Sequence, residues 1–249
     1  MTSSPSRLTL AGATAACLLA ACAAPGPVPP TSPADVPEVR PGSGYLQGYL
    51  AEKERPDSVR LVATPPPPDS AAFAADKGVH DRMQALRGGP RAELAMRDAD
   101  LHFPAAAGTF ACTLGVPISQ ELTPNLTMLL RRSLVDAGGA TYGAKNKYRR
   151  TRPFVHFKEP TCTPASEARL AKDGSYPSGH AALGWAWGLI LAQVAPERAD
   201  ALTARGLAFG DSRLVCNVHW QSDVVAGRTI GAAAVARLQS NPLYGGQVG

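Results

Sequence analysis

Gly174-Ser175-Tyr176-Pro177-Ser178-Gly179-His180 opens the longest apolar run behind the N-terminal leader, Ala181 to Val194. Pro177 is tolerated at a helix start but not in a helix interior. Ser178 is a strong N-cap type, and Gly179 leaves the backbone open to close approach. The spacing predicts a helix from Ser178 to Val194. Its first turn would aim free N–H groups and the positive end of the helix dipole at whatever lies in front, which suits an anion. His180 stands on that turn, and an imidazole titrates near neutrality. An anion cradle with an acid/base group beside it is half of a phosphoryl-transfer site.

Working outward, two more long helices are expected downstream, Pro196 to about Asn217 and about Gln221 to Leu238. Upstream, Asp69 reads as the N-cap of a helix over Ser70–Arg87, with Phe73, Val79, Met83 and Leu86 at helical spacing. Gly88-Gly89-Pro90 breaks it, and Arg91–Leu101 resumes as helix. Thr123-Pro124 starts a helix that Gly138-Gly139 ends. Ala140–Arg149 and a segment from Thr163 to about Lys172 are further helical candidates, as is Tyr45–Lys53. Only Arg60–Ala63 and Pro153–Phe157 read as extended. The pattern is all-α and has no internal repeat. It predicts one domain over residues 45–242, followed by a tail at 243–249. Residues 22–44 are rich in Pro, Ala, Gly and Ser without an apolar period, and read as a flexible tether.

At 249 residues and 45% hydrophobic content, the chain can bury one substantial core. A formal net charge of +5 suits an anionic partner. Basic residues gather only at Lys145–Arg152 and aromatics are 6%, which argues against a nucleic-acid partner. The N-terminus reads as a targeting segment over residues 1–21: Arg7 gives a charged n-region and Leu8–Ala21 a short apolar region. It is shorter than the roughly 20 apolar residues a spanning helix needs. Leu19-Ala20-Ala21-Cys22 fits a lipobox, with Cys22 as the lipidated first residue of a periplasmic, membrane-anchored protein. Ordinary cleavage near Ala23, giving a soluble exported protein, is the alternative. Of five Cys, Cys112, Cys162 and Cys216 remain once Cys17 and Cys22 are set aside. They allow one disulfide in an oxidising compartment, and spacing does not choose among the three pairings. None lies in a metal-binding pattern.

Two further clusters carry chemistry. Lys145-Asn-Lys-Tyr-Arg-Arg-Thr-Arg152-Pro153 is strongly basic, and by composition alone would read as a solvated helix face. Ser212-Arg213 is followed by His219 and then Asp223. Ser212 and His219 are seven apart, a spacing that puts both on one helix face if the helix continues. Asp223, four beyond His219, can hold one imidazole N–H and leave the other nitrogen free to attack.

Together the three clusters resemble the signature of the type 2 phosphatidic acid phosphatase superfamily, which also holds the vanadium haloperoxidases. The wider context, including Pro56-Asp57-Ser58, the Pro65–Pro68 run and Cys216-x2-His219-Trp220-Gln221-Ser222-Asp223, is similar to the bacterial class A nonspecific acid phosphatases. Ala181 and Asn217 depart from the common residues there, at positions that do not define the motifs. The resemblance implies a helical bundle with the site at helix ends, small phosphomonoester substrates and a homodimer. It implies His219 as nucleophile, Asp223 as its partner and His180 as acid/base. Lys145, Arg152, Ser178, Gly179 and Arg213 would bind phosphate. Two guanidinium groups and an ammonium can supply the charge that metals supply elsewhere, so no metal or other cofactor is expected. The alternatives are a vanadate-dependent haloperoxidase, a lipid phosphate phosphatase, or an inactive surface lipoprotein. The first is normally a much larger chain, and the second normally brings several spanning helices.

Overall fold

The computed structural model of the chain describes residues 27–248. The targeting segment, with its Leu19–Cys22 motif and Cys17, lies outside them. Within them the helices run α1 (Ser58–Leu61), α2 (Ala71–Gln84), α3 (Pro90–Ala99), α4 (Ala105–Leu114), α5 (Pro124–Gly139) and α6 (Tyr142–Tyr148). They continue as α7 (Pro153–Phe157), α8 (Glu167–Leu170), α9 (Gly179–Val194), α10 (Ala199–Val215), α11 (Gln221–Leu238) and α12 (Pro242–Val248). The β pairing among the described residues is one isolated antiparallel bridge, Glu38 to Leu46. The fold is all-α.

The centre of the bundle is α9. A helix apolar on every side has to be surrounded, and α9 packs against α5, α10 and α11. Leu183, Trp187 and Leu191 join Phe110, Leu130, Leu202 and Phe209 in one cluster. Ala186 and Ile190 join Leu129, Ala234, Val235 and Leu238 in another. Trp187 is fully buried and donates its indole N–H to the Leu130 carbonyl at 3.1 Å. Each large apolar side chain so buried contributes about 1.5–3 kcal/mol, which fixes α9 and hence the loop at its N-terminus. The helices touch at small residues: a Cβ on Gly206 of α10 would lie 2.7 Å from the Gly184 carbonyl of α9. No helix among the described residues is long and apolar enough to cross a membrane.

Several local expectations are corrected. Within the tether expected over 22–44, the described part has one buried residue, Val36. A 3-10 turn at Pro33–Asp35 leads into Val36, which is buried with Leu46 and Met128. Proline-rich composition made this segment read as loose, and Val36 is its one buried apolar side chain. The tail expected at 243–249 is instead α12, with Tyr244 buried and its hydroxyl donating to Gln193 at the end of α9. Pro27 and Pro29 lie against Gly246 of α12. Ser70, not Asp69, caps α2, accepting the Phe73 N–H at 3.1 Å. Tyr45–Lys53 holds no α-helix, only the start of a 3-10 turn at Glu52–Glu54. Of the two stretches expected to be extended, Arg60–Ala63 is helical at Arg60 and Leu61 and extended at Val62, while Pro153–Phe157 is helical. Arg60 lies in α1, capped by Asp57, and Pro153 is the first residue of α7. Helix α4 was not anticipated, because its alanine-rich sequence carries no clear apolar period.

Candidate active site

Ser178 caps α9: its Oγ accepts the Ala181 N–H at 3.2 Å, and its own N–H donates to the Asp223 carbonyl at 2.9 Å. The loop before α9 is thereby tied to α11. Gly179 follows as the first helical residue, where an added Cβ would meet only the Thr141 hydroxyl at 3.6 Å, so its backbone is open on that side.

Lys145 lies in the second half of α6 with its side chain buried. Its ammonium donates to the Gly174 carbonyl at 2.7 Å and stands 3.8 Å from the Asp173 carboxylate. Burial first, then repulsion from Arg152, bring its pKa down to about 8. Arg152 sits at the N-cap of α7, where Pro153 forces the chain out of helix before it. Its Nη1 donates to the Val218 carbonyl at 2.9 Å and its Nη2 to Asp173 at 3.0 Å. Nη1 also donates to Nε2 of His219 at 3.1 Å.

Arg213 occupies the last turn of α10 and is 3% exposed. Its Nε and Nη1 are buried and find no hydrogen-bond partner. Burial and then the neighbouring Arg152 push its pKa down. A buried donor left unsatisfied costs about 1–3 kcal/mol, more when charged. Native structures rarely carry one without a reason.

His219 and Asp223 do meet, though not on a continuous helix. Helix α10 ends at Val215, Asn217 takes a left-handed φ of 62°, and α11 begins at Gln221. Asp223 therefore sits in the first turn of α11 and reaches back. Its Oδ2 accepts the Trp220 N–H at 2.8 Å and the His219 Nδ1–H at 3.3 Å. With Nδ1 donating to a carboxylate and Nε2 accepting from a guanidinium, one neutral tautomer satisfies both contacts. Burial, Arg152 and Lys145 hold the His219 pKa well below the usual imidazole value, so it is neutral in the empty site. Ser212 does not share a face with it. Its hydroxyl donates to Asp98 at 2.5 Å and accepts from Arg91 at 3.0 Å, on the side of α3.

His180 donates its Nε2–H to the Ala99 carbonyl at 3.2 Å, at the C-terminus of α3. Burial first and then Arg213 lower its pKa well below the usual value. Its Nδ1 is the ring nitrogen not tied to the Ala99 carbonyl.

The sequence reading missed three charged neighbours. Asp173 lies between Lys145 and Arg152. Arg150 joins Asp223 to Asp76 of α2. Arg150 lay in a run read as basic surface, while Asp76 is 74 residues away in sequence, with no local signal. The disulfide left open by spacing is Cys162–Cys216, which pins the loop after α7 three residues before His219. Cys112 is free and exposed. Among the described residues no group of three or more His, Cys, Asp or Glu could hold a metal ion.

The helical bundle holds Lys145, Arg152, Arg213 and two histidines buried toward the capped end of its central helix, and comparisons with known proteins give the chain a family. The PAP2 superfamily profile matches residues 125–241. A non-specific acid phosphatase of Salmonella typhimurium is 45% identical over 201 residues, 80% of each chain. One from Providencia stuartii is 41% identical over 197 residues, 79% of each chain. An acid phosphatase of Zymomonas mobilis is 38% identical over 209 residues, 80% of this chain and 79% of its own. The chain belongs to the PAP2 superfamily and, within it, to the bacterial class A nonspecific acid phosphatases. It is an acid phosphatase.

Proposed function

We propose that this enzyme is exported, needs no metal, and hydrolyses small phosphomonoesters through a phosphohistidine on His219. The observation that carries the reading is Arg213, deeply buried with two unpartnered donors and, like Lys145 and Arg152, near enough for its charge to act on His219. Phosphoryl transfer depends mainly on positioning and on stabilising charge on the oxygens. Lys145, Arg152 and Arg213, with Ser178 and the Gly179 N–H, supply both.

Chemistry follows from the hydrogen bonds. The Nε2 lone pair of His219 attacks phosphorus and the P–O bond to the leaving group breaks. Asp223, accepting the Nδ1–H, stabilises the positive charge that develops on the ring. His180 gives a proton to the leaving oxygen. Since Nε2 is committed to the Ala99 carbonyl, Nδ1 is the nitrogen that hands this proton over. Burial and Arg213 disfavour the charged imidazole, and a bound phosphate dianion beside it opposes that effect. In the second step His180 takes a proton from water, hydroxide attacks the phosphohistidine, and the P–N bond breaks to release phosphate.

The leader and Cys22 support export with a lipid anchor, and the Cys162–Cys216 disulfide suits an oxidising compartment such as the periplasm. The mechanistic reading is tested with para-nitrophenyl phosphate and excess chelator. Turnover should persist in chelator, vanish in His219→Ala, and give an acid-labile, base-stable phosphoenzyme on rapid quenching. Loss in chelator restored by a divalent ion would refute metal independence. A trapped phosphoryl group on another residue would refute the role of His219.

A further inference from the structure

Asp223 is the carboxylate on which His219 depends, and its surroundings reach outside the three motifs. Arg150 lies between α6 and α7 with its side chain 8% exposed. One arm of its guanidinium, Nη1, donates to the Asp223 Oδ1 at 2.6 Å and to the Ser222 hydroxyl at 2.7 Å. The other, Nη2, donates to Oδ2 of Asp76 at 2.7 Å. Asp76 is itself buried in α2, and it accepts the Ser222 N–H at 2.8 Å and the Ser222 hydroxyl at 2.5 Å. The guanidinium packs over Trp220 and Phe73. The Arg150 carbonyl accepts the Ser175 N–H at 2.8 Å, on the loop that leads to α9.

The two oxygens of Asp223 have separate duties. Oδ2 takes the Trp220 N–H and the His219 Nδ1–H, while Oδ1 faces Arg150. We propose that Arg150, anchored by Asp76, is a positioning residue that keeps Asp223 ionised and its Oδ2 aimed at His219. Arg150 acts on His219 through Asp223.

The physical argument is one of burial. A carboxylate with no exposed surface takes up a proton unless nearby donors and cations hold it charged. Burial drives the Asp223 pKa up, and Arg150 is the largest opposing influence, ahead of the Trp220 N–H and Lys145. The other groups whose charges bear on Asp223 are Arg152, His219 and Tyr176. Of Arg150, Arg152 and Lys145, Arg150 is the one that hydrogen-bonds Asp223 directly. A protonated Asp223 would stabilise the imidazolium far less. Asp76 matters because it fixes the fork: a guanidinium held at both ends cannot swing away from Asp223.

This inference rests on His219 as nucleophile, and the experiment separates the two. The purified protein and its variants are compared for kcat and KM on para-nitrophenyl phosphate across pH, for affinity toward inorganic phosphate, and for melting temperature. Arg150→Ala should lower kcat by about 10²-fold and leave phosphate affinity within about threefold. The sign on pH follows from the ionised form being active. Without Arg150 the Asp223 pKa rises, so the acid limb of kcat moves to higher pH. Arg150→Lys keeps the charge but loses the fork, and should return the limb toward wild type with partial recovery of kcat. Asp76→Ala should shift the limb in the same direction as Arg150→Ala, by less. If Arg150→Ala does not fold, the two milder variants carry the test. An unmoved acid limb in a folded variant, or a loss in phosphate affinity as large as the loss in kcat, overturns the proposal. Activity surviving in His219→Ala would instead overturn the reading beneath it.

Discussion

A methyl group added at Gly174 would have nowhere to go. Its Cβ would stand 2.7 Å from the Lys145 carbonyl and 3.0 Å from the Arg149 Cα, both backbone atoms at the end of α6. Ordinary contact begins at 3.4 Å. The loop must therefore move off α6 by about 0.7 Å, more than the ~0.5 Å within which a catalytic constellation stays productive. The Gly174 carbonyl is also the acceptor that holds the Lys145 ammonium at 2.7 Å, so the shift loosens a cation and displaces Ser175–Ser178 together. Gly174→Ala should cost about 1–3 kcal/mol of stability as an overpacked contact. A misplacement near 1 Å costs up to ~10²-fold in rate, so kcat/KM should fall by roughly ten- to a hundredfold. The assay is steady-state hydrolysis of para-nitrophenyl phosphate with a thermal melt alongside. Wild-type kcat/KM at an unchanged melting temperature would refute the claim that this loop is held by its closeness to α6.

Two further outcomes follow from individual side chains. Lys145 carries its charge below about pH 8 and loses it above, so phosphate affinity should weaken as pH rises through that value. Lys145→Arg, charged throughout, should abolish this alkaline weakening in a binding titration even if it slows turnover. His180→Ala should impair alkyl phosphates far more than nitrophenyl phosphate, because a poor leaving group needs the proton, help typically worth ~10²–10⁴-fold. With nitrophenyl phosphate the variant should show a burst and then slow turnover; equal losses on both esters without a burst would count against the acid role.

What the sequence made legible was whatever local chemistry dictates. Ser178 before an unbroken apolar run located α9, and the bounds expected for α11 match the structure. The spacing of His219 and Asp223 implied the contact that is seen. The pair is joined by a helix cap across a turn, because Asn217 breaks the path of α10. Pro153–Phe157 was read as extended although Pro153 starts a helix, since a residue without an N–H suits either role. Asp76 and Arg150 were invisible as a pair because nothing in a linear pattern brings α2 to the start of α11. Their contact is a property of packing, as is the burial that turns a basic run into one structural cation and two pocket cations.

The described chain enters at Pro27 and ends at Val248 beside one another, because Pro27 and Pro29 rest on α12. Helix α12 in turn is held by Tyr244 to Gln193, at the opposite end of α9 from Ser178. Sixteen helical residues separate those ends, about 24 Å of rise. Anything fastened ahead of residue 27 or behind residue 248, whether a fatty acyl group, a fusion partner or a chromatography bead, is therefore coupled to the pole remote from the phosphate pocket. Such an attachment leaves the Ser178 end of α9 on the far side of the bundle.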